Sequence, residues 1–235
     1  MSQIAIDGPA GAGKSTAAKA VSKRLGFMYV DTGAMYRTIA LECLDCGVNV
    51  LNEEAVSKIC GVSEIKIKYI GGIQHMYIAN EDVSERIRKE EVGKAASSVA
   101  KYAAVREKLV ELQKKLGEEY DVVMDGRDIG SGVLTDAQLK IFLTASSDCR
   151  AKRRCEELFR KGEACDFDTV KRDIEQRDYE DSHRELSPLK KAEDAIEVDT
   201  SDMGIDEVTG VILEYWAAAL GRRSANTTET AKNMN

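Results

Sequence analysis

Residues 6–21 read IDGPAGAGKSTAAKAV, and their spacing decides the fold of the chain. Gly8, four intervening residues and then Gly13-Lys14-Ser15 fit the phosphate-loop pattern G-x-x-x-x-G-K-[ST]. The chemistry needs these residue types in this order. Glycines let the backbone take positive φ and approach an anion closely. Successive N–H groups then form a cradle, and the helix that follows presents its positive end to the phosphates. Lys14 is placed to reach the β- and γ-phosphates, and the Ser15 hydroxyl to complete the shell of a Mg²⁺ ion. The surroundings agree: Gln3 to Asp7 reads as a short buried strand, and 15–25 as an Ala-rich helix with Ala17, Val21 and Leu25 on one stripe. A Gly-rich turn that binds nothing is the bland alternative. Motif and context together favour a nucleoside triphosphate site.

Composition narrows the remainder. A chain of 235 residues with 43% hydrophobic content can bury a substantial core, expected as one domain with insertions. No apolar run reaches the roughly 18 residues of a membrane span. The first strand begins within three residues of Met1, which leaves no room for a signal peptide. A net charge of −7 and a pI near 5.1 argue against bulk electrostatic binding to nucleic acid. An anionic substrate would need a local arginine cluster instead. Among six cysteines, Cys43 and Cys46 form one C-x-x-C without a second pair at zinc spacing. Cys60, Cys149, Cys155 and Cys165 are scattered, as in a reducing cytoplasm. With His75 and His183, all are read as structural or incidental.

The strand–helix alternation predicts an α/β, three-layer P-loop fold: a parallel central sheet with helices on both faces. Residues 28–31 read as a second strand, and the stretch DTGAMYRTIALECLDCG as a turn and a helix ending at Gly47. EIKIKYIGGIQHMYI alternates Ile65, Ile67 and Tyr69 against Glu64, Lys66 and Lys68, then turns at Gly71-Gly72, a hairpin signal. An antiparallel hairpin in such a chain is read as an insertion over 53–91. One long helix is expected over 92–116, with Val105, Leu109, Leu112 and Leu116 on one face. Two buried strands follow, the first ending at Asp125 and the second in AQLKIFLTAS. Helices are then expected at 147–160 and 169–183, a last strand at 195–198, and an amphipathic helix at 205–220. That helix should turn Ile205, Val208, Ile212, Tyr215 and Trp216 inward; 221–235 reads as a frayed polar tail. Ligands in such sheets sit at the carboxyl ends of the strands. This gathers the phosphate loop, Asp31, Asp125 to Asp128 and Thr144 on one rim.

Three further clusters bear on the reaction. DTGAMYR carries Thr32, Tyr36 and Arg37; VVMDGRDIG delivers Asp125, Arg127 and Asp128; and RDYEDSHRELSPL holds Arg177, Asp181 and Arg184 at i, i+4, i+7, one stripe of a helix. Arg150, Arg153 and Arg154 precede that helix, so 150–185 reads as a short lid. Each cluster has a plain reading: a solvated ion-pair stripe, a finished strand, a core tyrosine. Several arginine clusters flanking one phosphate rim favour phosphoryl transfer, where positioned guanidiniums stabilise the moving charge.

In combination, GPAGAGKST, DTGAMYR, AASSVAKYAAVRE, DGRDIG and RDYEDSHRELSPL closely resemble the bacterial cytidylate kinase family, over 3–220 and in family order. The resemblance implies transfer of the γ-phosphoryl of ATP to CMP or dCMP, with Mg²⁺, in pyrimidine nucleotide metabolism in the cytoplasm. It implies an ATP site of Gly8, Pro9, Ala10, Gly11, Ala12, Gly13, Lys14, Ser15 and Thr16 with Arg153 and Arg154. It implies that Ser97, Arg106 and Asp128 read cytosine, Asp128 accepting from the amino group that uracil lacks. Thr32, Tyr36 and Arg37 would hold the monophosphate side, with Arg37 and Arg127 on its phosphate; Arg177 and Asp181 would reach sugar and phosphates. Arg184, with Arg153 or Arg154, would close over the transferring group, making Lys14, Arg127, Arg177 and Arg184 the catalytic set. Ser15 would position the metal, and Asp125 would order water in its shell. The 53–91 insertion matches the enlarged monophosphate-binding region of this family. Two positions differ: Ala103-Ala104 stand where the family often has Pro-Arg, and Thr32 stands for a serine, keeping the hydroxyl. No heptad or apolar stripe calls for an oligomer, so a monomer is expected.

A kinase for UMP, AMP or shikimate is the nearest rival, and the insertion and Asp128 disfavour it. A nucleotide-dependent switch is another, but no guanine-reading N-K-x-D segment occurs. A purely structural ATP-binding protein leaves the arginine clusters without a purpose.

Overall fold

The computed structural model describes residues 1–232, with side chains through Gly221; positions 233–235 of the expected tail lie outside the described residues. In chain order, β1 (Gln3–Asp7) leads through the loop into α1 (Lys14–Leu25), followed by β2 (Met28–Asp31), α2 (Thr32–Asp45) and α3 (Glu53–Val62). The strands β3 (Ile65–Ile70), β4 (Ile73–Ile78) and β5 (Glu81–Asp82) come next, then α4 (Glu90–Val99) and α5 (Ala103–Glu119). The chain continues with β6 (Val122–Asp125), β7 (Leu139–Thr144), α6 (Ser147–Arg160), α7 (Phe167–His183), β8 (Ile196–Asp199) and α8 (Ile205–Lys232).

Five strands form one parallel sheet in the order β2-β6-β1-β7-β8. Each strand alternates its residues between two covered faces, as parallel strands must. Ile4, Ile6, Val123, Ile141 and Leu143 pack with Ala17, Val21, Val208, Ile212 and Trp216 of α1 and α8. Ala5, Val30, Val122 and Met124 pack on the other face against Val110 and Leu116 of α5. The expected three layers are present. Among the described residues no helix is long and apolar enough to cross a membrane. Ile212 is fully enclosed. Ile212→Val is therefore expected to lower the unfolding free energy by about 0.5–1.5 kcal/mol, seen as a lower urea midpoint at unchanged slope.

The register puts the strand ends level. Asp31 faces Asp125 across β2 and β6, Ile6 faces Asp125, and Thr144 faces Asp199. Three carboxylates, Asp7, Asp31 and Asp125, thus close three adjacent strands at one rim, each less than a tenth exposed.

The hairpin forms as its pattern predicts. Gly71 and Gly72 turn it with φ of 59° and 79°, a two-residue turn that needs positive φ at both positions. The insertion also contains α3 and the short strand β5, which the sequence pattern did not separate. Val56 and Cys60 of α3 and Met76 of β4 share one core with α2, α4 and α5, in which Cys43 is buried while Cys46 stays exposed.

Several expectations are overturned. The helix expected over 92–116 is broken between Val99 and Ala103, where Tyr102 takes an extended conformation (φ −90°, ψ 132°). Its hydroxyl donates to the Val50 carbonyl at 2.9 Å, an anchor that a continuous helix would swing away. The stripe of Arg177, Asp181 and Arg184 is also interrupted, because α7 stops at His183 and Arg184 is extended (φ −68°, ψ 144°). Ile205 is 41% exposed at the start of α8, whereas Val208, Ile212 and Trp216 are buried. The helix that carries them continues through Lys232, where an irregular tail was expected. Extending an anchored helix adds one hydrogen bond per residue fixed and avoids the cost of a new nucleus. Finally, Cys155 and Cys165 are not scattered thiols. The reversal between α6 and α7 brings their Cα atoms to 5.4 Å, and the two form a disulfide.

Candidate active site

The phosphate loop occupies the turn between β1 and α1. Gly8 has φ +143°, and a Cβ there would stand 1.9 Å from the Leu143 carbonyl oxygen, so the loop passes against β7 where only glycine fits. Gly13 caps α1 with φ 87° and offers no side chain, which leaves the first helical N–H groups free for an anion. Arg150 braces the loop from α6: Nη1 donates to Ala10 O at 3.1 Å and pairs with Asp178 at 2.6 Å. Thr200 Oγ1 donates to Ala12 O at 3.2 Å and receives Arg153 Nη1 at 3.1 Å. Neither brace was evident in the sequence, because both partners come from distant segments.

Lys14 is buried, and its Nζ donates to Pro9 O at 2.7 Å. Burial first, and then the Arg127 guanidinium, lower its pKa well below the usual lysine range. Asp125 accepts from Ser15 Oγ at 2.7 Å and from Tyr29 OH at 2.9 Å, while Thr32 Oγ1 donates to its carbonyl at 2.7 Å. Burial, and then the Asp31 carboxylate beside it, raise the Asp125 pKa, with Lys14 pulling the other way. A cation arriving here would relieve that cost.

Asp31 is held by two guanidiniums, Arg37 at 3.3 Å and Arg88 at 3.0 Å. Burial opposes its ionisation, yet Arg37 and Arg88 together hold the carboxyl below its usual range. Arg88 was missed by sequence reasoning: it follows no motif and lies 57 positions from its partner.

A cavity of about 890 Å³ opens beside the loop. Lys14, Ser15 and Thr16 form its floor, and Arg37, Arg88, Ser97, Arg153, Arg154 and Arg177 are on its walls. Arg177 is crowded there, and burial followed by Arg127 lowers its pKa to about 10. Arg154 is paired with Glu157 at 2.9 Å. The expected triphosphate site, Arg37, Ser97 and the lid arginines are thus brought together.

The remaining expected residues do not line that cavity. They form a tight polar cluster joined to it through Arg177, which interacts electrostatically with both Arg127 and Asp181. Arg127 Nε donates to Asp181 Oδ2 at 2.8 Å. Arg106 pairs with Asp128, both less than a tenth exposed, and the Arg106 guanidinium lies 5.9 Å over the ring of Tyr36. Burial raises the Tyr36 pKa to about 12, so its hydroxyl stays protonated at neutral pH. Arg184 belongs to this cluster. Its Nη1 is 4.0 Å from Asp181, and Arg106 and Asp128 also act on its charge. It is not among the residues lining the cavity beside the loop. The end of α7 at His183, where that helix was expected to stop, leaves Arg184 extended and next to Asp128 and Arg106 in their field.

Comparison with known proteins follows the same lines. A family model described as "Cytidylate kinase" matches residues 4–218. A protein named cytidylate kinase from Lactobacillus johnsonii is 50% identical over 212 residues, covering 90% of this chain and 92% of that protein. One so named from Bacillus pumilus is 50% identical over 211 residues, covering 90% and 94%, respectively. A third, from Caldicellulosiruptor saccharolyticus, is 47% identical over 218 residues, covering 93% and 96%.

Proposed function

The chain belongs to the cytidylate kinase family, and from that premise we propose that it transfers the γ-phosphoryl group of ATP to CMP or dCMP, giving ADP and CDP or dCDP. The observation that carries this reading is the pairing of two environments. A phosphate loop walled by Arg37, Arg88 and Arg177 adjoins a buried acceptor and donor, Asp128 and Arg106. Cytosine presents an amino donor next to N3 and O2 acceptors, and needs both partners at once.

The loop amides and Lys14 hold the ATP phosphates, and Arg153 and Arg154 close its far side from α6, which with α7 serves as a lid. Arg37 and Arg127 bind the acceptor phosphate, with Thr32 and Tyr36 shaping that wall, Ser97 on the base and Asp181 on the sugar. Arg177, between the two phosphate sites, stabilises the charge that spreads over the moving group. No side chain needs to act as a base, because the acceptor phosphate is already a nucleophile at neutral pH.

A Mg²⁺ ion fits the donors present. Ser15 Oγ and the Asp125 carboxylate are hard oxygen groups 2.7 Å apart, and the carboxylate is buried where positive charge is wanted. Among the described residues no group of three or more His, Cys, Asp or Glu could hold an ion alone. Ser15 would ligate it and Asp125 would order its water, and the ion would neutralise charge on the β- and γ-phosphates. We assign the enzyme, as a monomer, to pyrimidine nucleotide metabolism.

We place Arg184 on the base side, next to Asp128 and Arg106. Its Nε and Nη2 are buried without a hydrogen-bond partner in the protein. Arg184→Met is therefore expected to raise KM for CMP roughly tenfold or more, with Tm unchanged or higher because a buried, underpaired charge is removed. Steady-state kinetics and a thermal melt check both halves. The reading as a whole is tested by ADP production with CMP, dCMP, UMP, AMP and shikimate offered separately, with and without EDTA. Fast, EDTA-sensitive turnover with CMP and dCMP alone supports it. Preference for another acceptor discards the base pocket, and hydrolysis without any acceptor discards the kinase.

A further inference from the structure

We propose that Asp7, the last residue of the first strand, is a positioning residue for cytosine selection, setting the direction of Asp128 through the two peptide N–H groups that follow it. The inference rests on the reading of Asp128 as the group that accepts from the cytosine amino group.

The segment after Asp128 is one π-helical turn, Ile129–Val133. The first N–H groups of such a turn have no partner within it, and burying them unpaired would be costly. Asp7 supplies both partners. Oδ1 accepts from Ile129 N at 2.8 Å and Oδ2 from Gly130 N at 2.8 Å, across separations of 122 and 123 residues. The N–H of Ile129 and the carbonyl of Asp128 belong to one peptide plane. That plane is held at both ends, because the Asp128 carbonyl also accepts from Gly132 N at 2.8 Å. Fixing the plane fixes ψ of Asp128 at 28°, and with it the direction in which its Cβ leaves the backbone toward Arg106.

Asp7 is also the residue directly before Gly8 of the phosphate loop. Only 5% exposed, it is a carboxylate that neither ATP nor acceptor phosphate should want nearby, so a role in triphosphate binding is a poor account of it. Burial raises its pKa to about 6, against the pull of the Gly130 and Ile129 N–H groups. An asparagine of the same shape can accept only one of the two N–H groups and turns an amide N–H toward the other.

The test compares (kcat/KM) for CMP and for UMP in the full chain. For Asp7→Asn the CMP:UMP ratio is expected to fall roughly 10- to 100-fold, as for a misplacement of about 1 Å, with KM for ATP within about twofold of wild type. A second variant approaches the same contact from the other side and leaves Asp7 in place. In Gly130→Ala the new Cβ would stand 3.4 Å from Asp7 Oδ2 and 3.1 Å from Lys140 Cδ, so Lys140 or the turn must give by a few tenths of an ångström beside the Asp7 contact. The same drop in ratio is expected, and this variant decides the matter alone if Asp7→Asn does not fold. Combining Asp7→Asn with Asp128→Asn should give losses of selectivity that do not add, since both act through one side chain. CMP and UMP falling in parallel, with the ratio unchanged in these variants, would overturn the proposal and leave Asp7 a core contact. If instead the wild type does not distinguish CMP from UMP, or Asp128→Asn leaves their ratio intact, the base-reading role of Asp128 fails, and the inference fails with it for that separate reason.

Discussion

Lys14→Met is expected to lower kcat by roughly 10²–10³-fold, the cost of removing one donor aimed at developing charge. Thermal stability should change little. The wild-type ammonium is buried, and its pKa is lowered by burial and by Arg127. A neutral side chain of similar length relieves that cost while giving up the 2.7 Å bond to Pro9 O. The two effects oppose one another. A pH series sharpens the test. Between the lowered folded pKa and the ordinary lysine value, the unfolded chain binds more protons than the folded one, so wild-type stability rises with pH across that window. The methionine variant should lack this slope. Unchanged turnover together with a large loss of Tm would make Lys14 a structural lysine and remove it from the reaction.

Asp128→Asn is expected to cost on the order of 10³-fold in the preference for CMP over UMP. A carboxylate only accepts, so on the proposed reading it would pair with the cytosine amino group and repel the oxygen at the same position of uracil. The asparagine amide can turn either face to the base and welcomes both. The variant also weakens the buried pair with Arg106, so some loss of Tm should accompany the change. Leaving one charge of a buried pair uncompensated costs about 3–5 kcal/mol, whereas replacing both with apolar groups is often neutral. The double variant Arg106→Met, Asp128→Leu should therefore melt near the wild type while showing no base preference. Recovery of stability without recovery of selectivity separates the two roles of the pair. An intact CMP:UMP ratio in Asp128→Asn would assign base reading elsewhere.

What the sequence determined by itself is what depends on short spacing. The phosphate loop with its strand and helix, the hairpin turning at Gly71-Gly72, and the placing of Asp31, Asp125 and Thr144 each at the end of its own strand follow from residues within about a dozen positions of each element. Local φ preference and period settle such elements before any tertiary contact forms. The family motifs likewise put Arg106 and Asp128 into one expected site, and the two side chains do meet.

The tertiary structure decided where periodicity alone is silent. The apolar stripe over 92–116 runs on through Tyr102, but the bond from its hydroxyl to Val50, 52 residues away, breaks the helix. Arg88 on Asp31, Thr200 on Ala12 and Asp7 on the turn after Asp128 join segments 57, 188 and 122 or more residues apart. Arg184 is placed by where α7 ends and not by its i, i+7 spacing from Arg177. Arg184 aside, in each case a polar group found its partner in space and that partner was remote in sequence. Burial makes an unpaired donor or carboxylate costly, so packing chooses the partner; no local pattern records that choice.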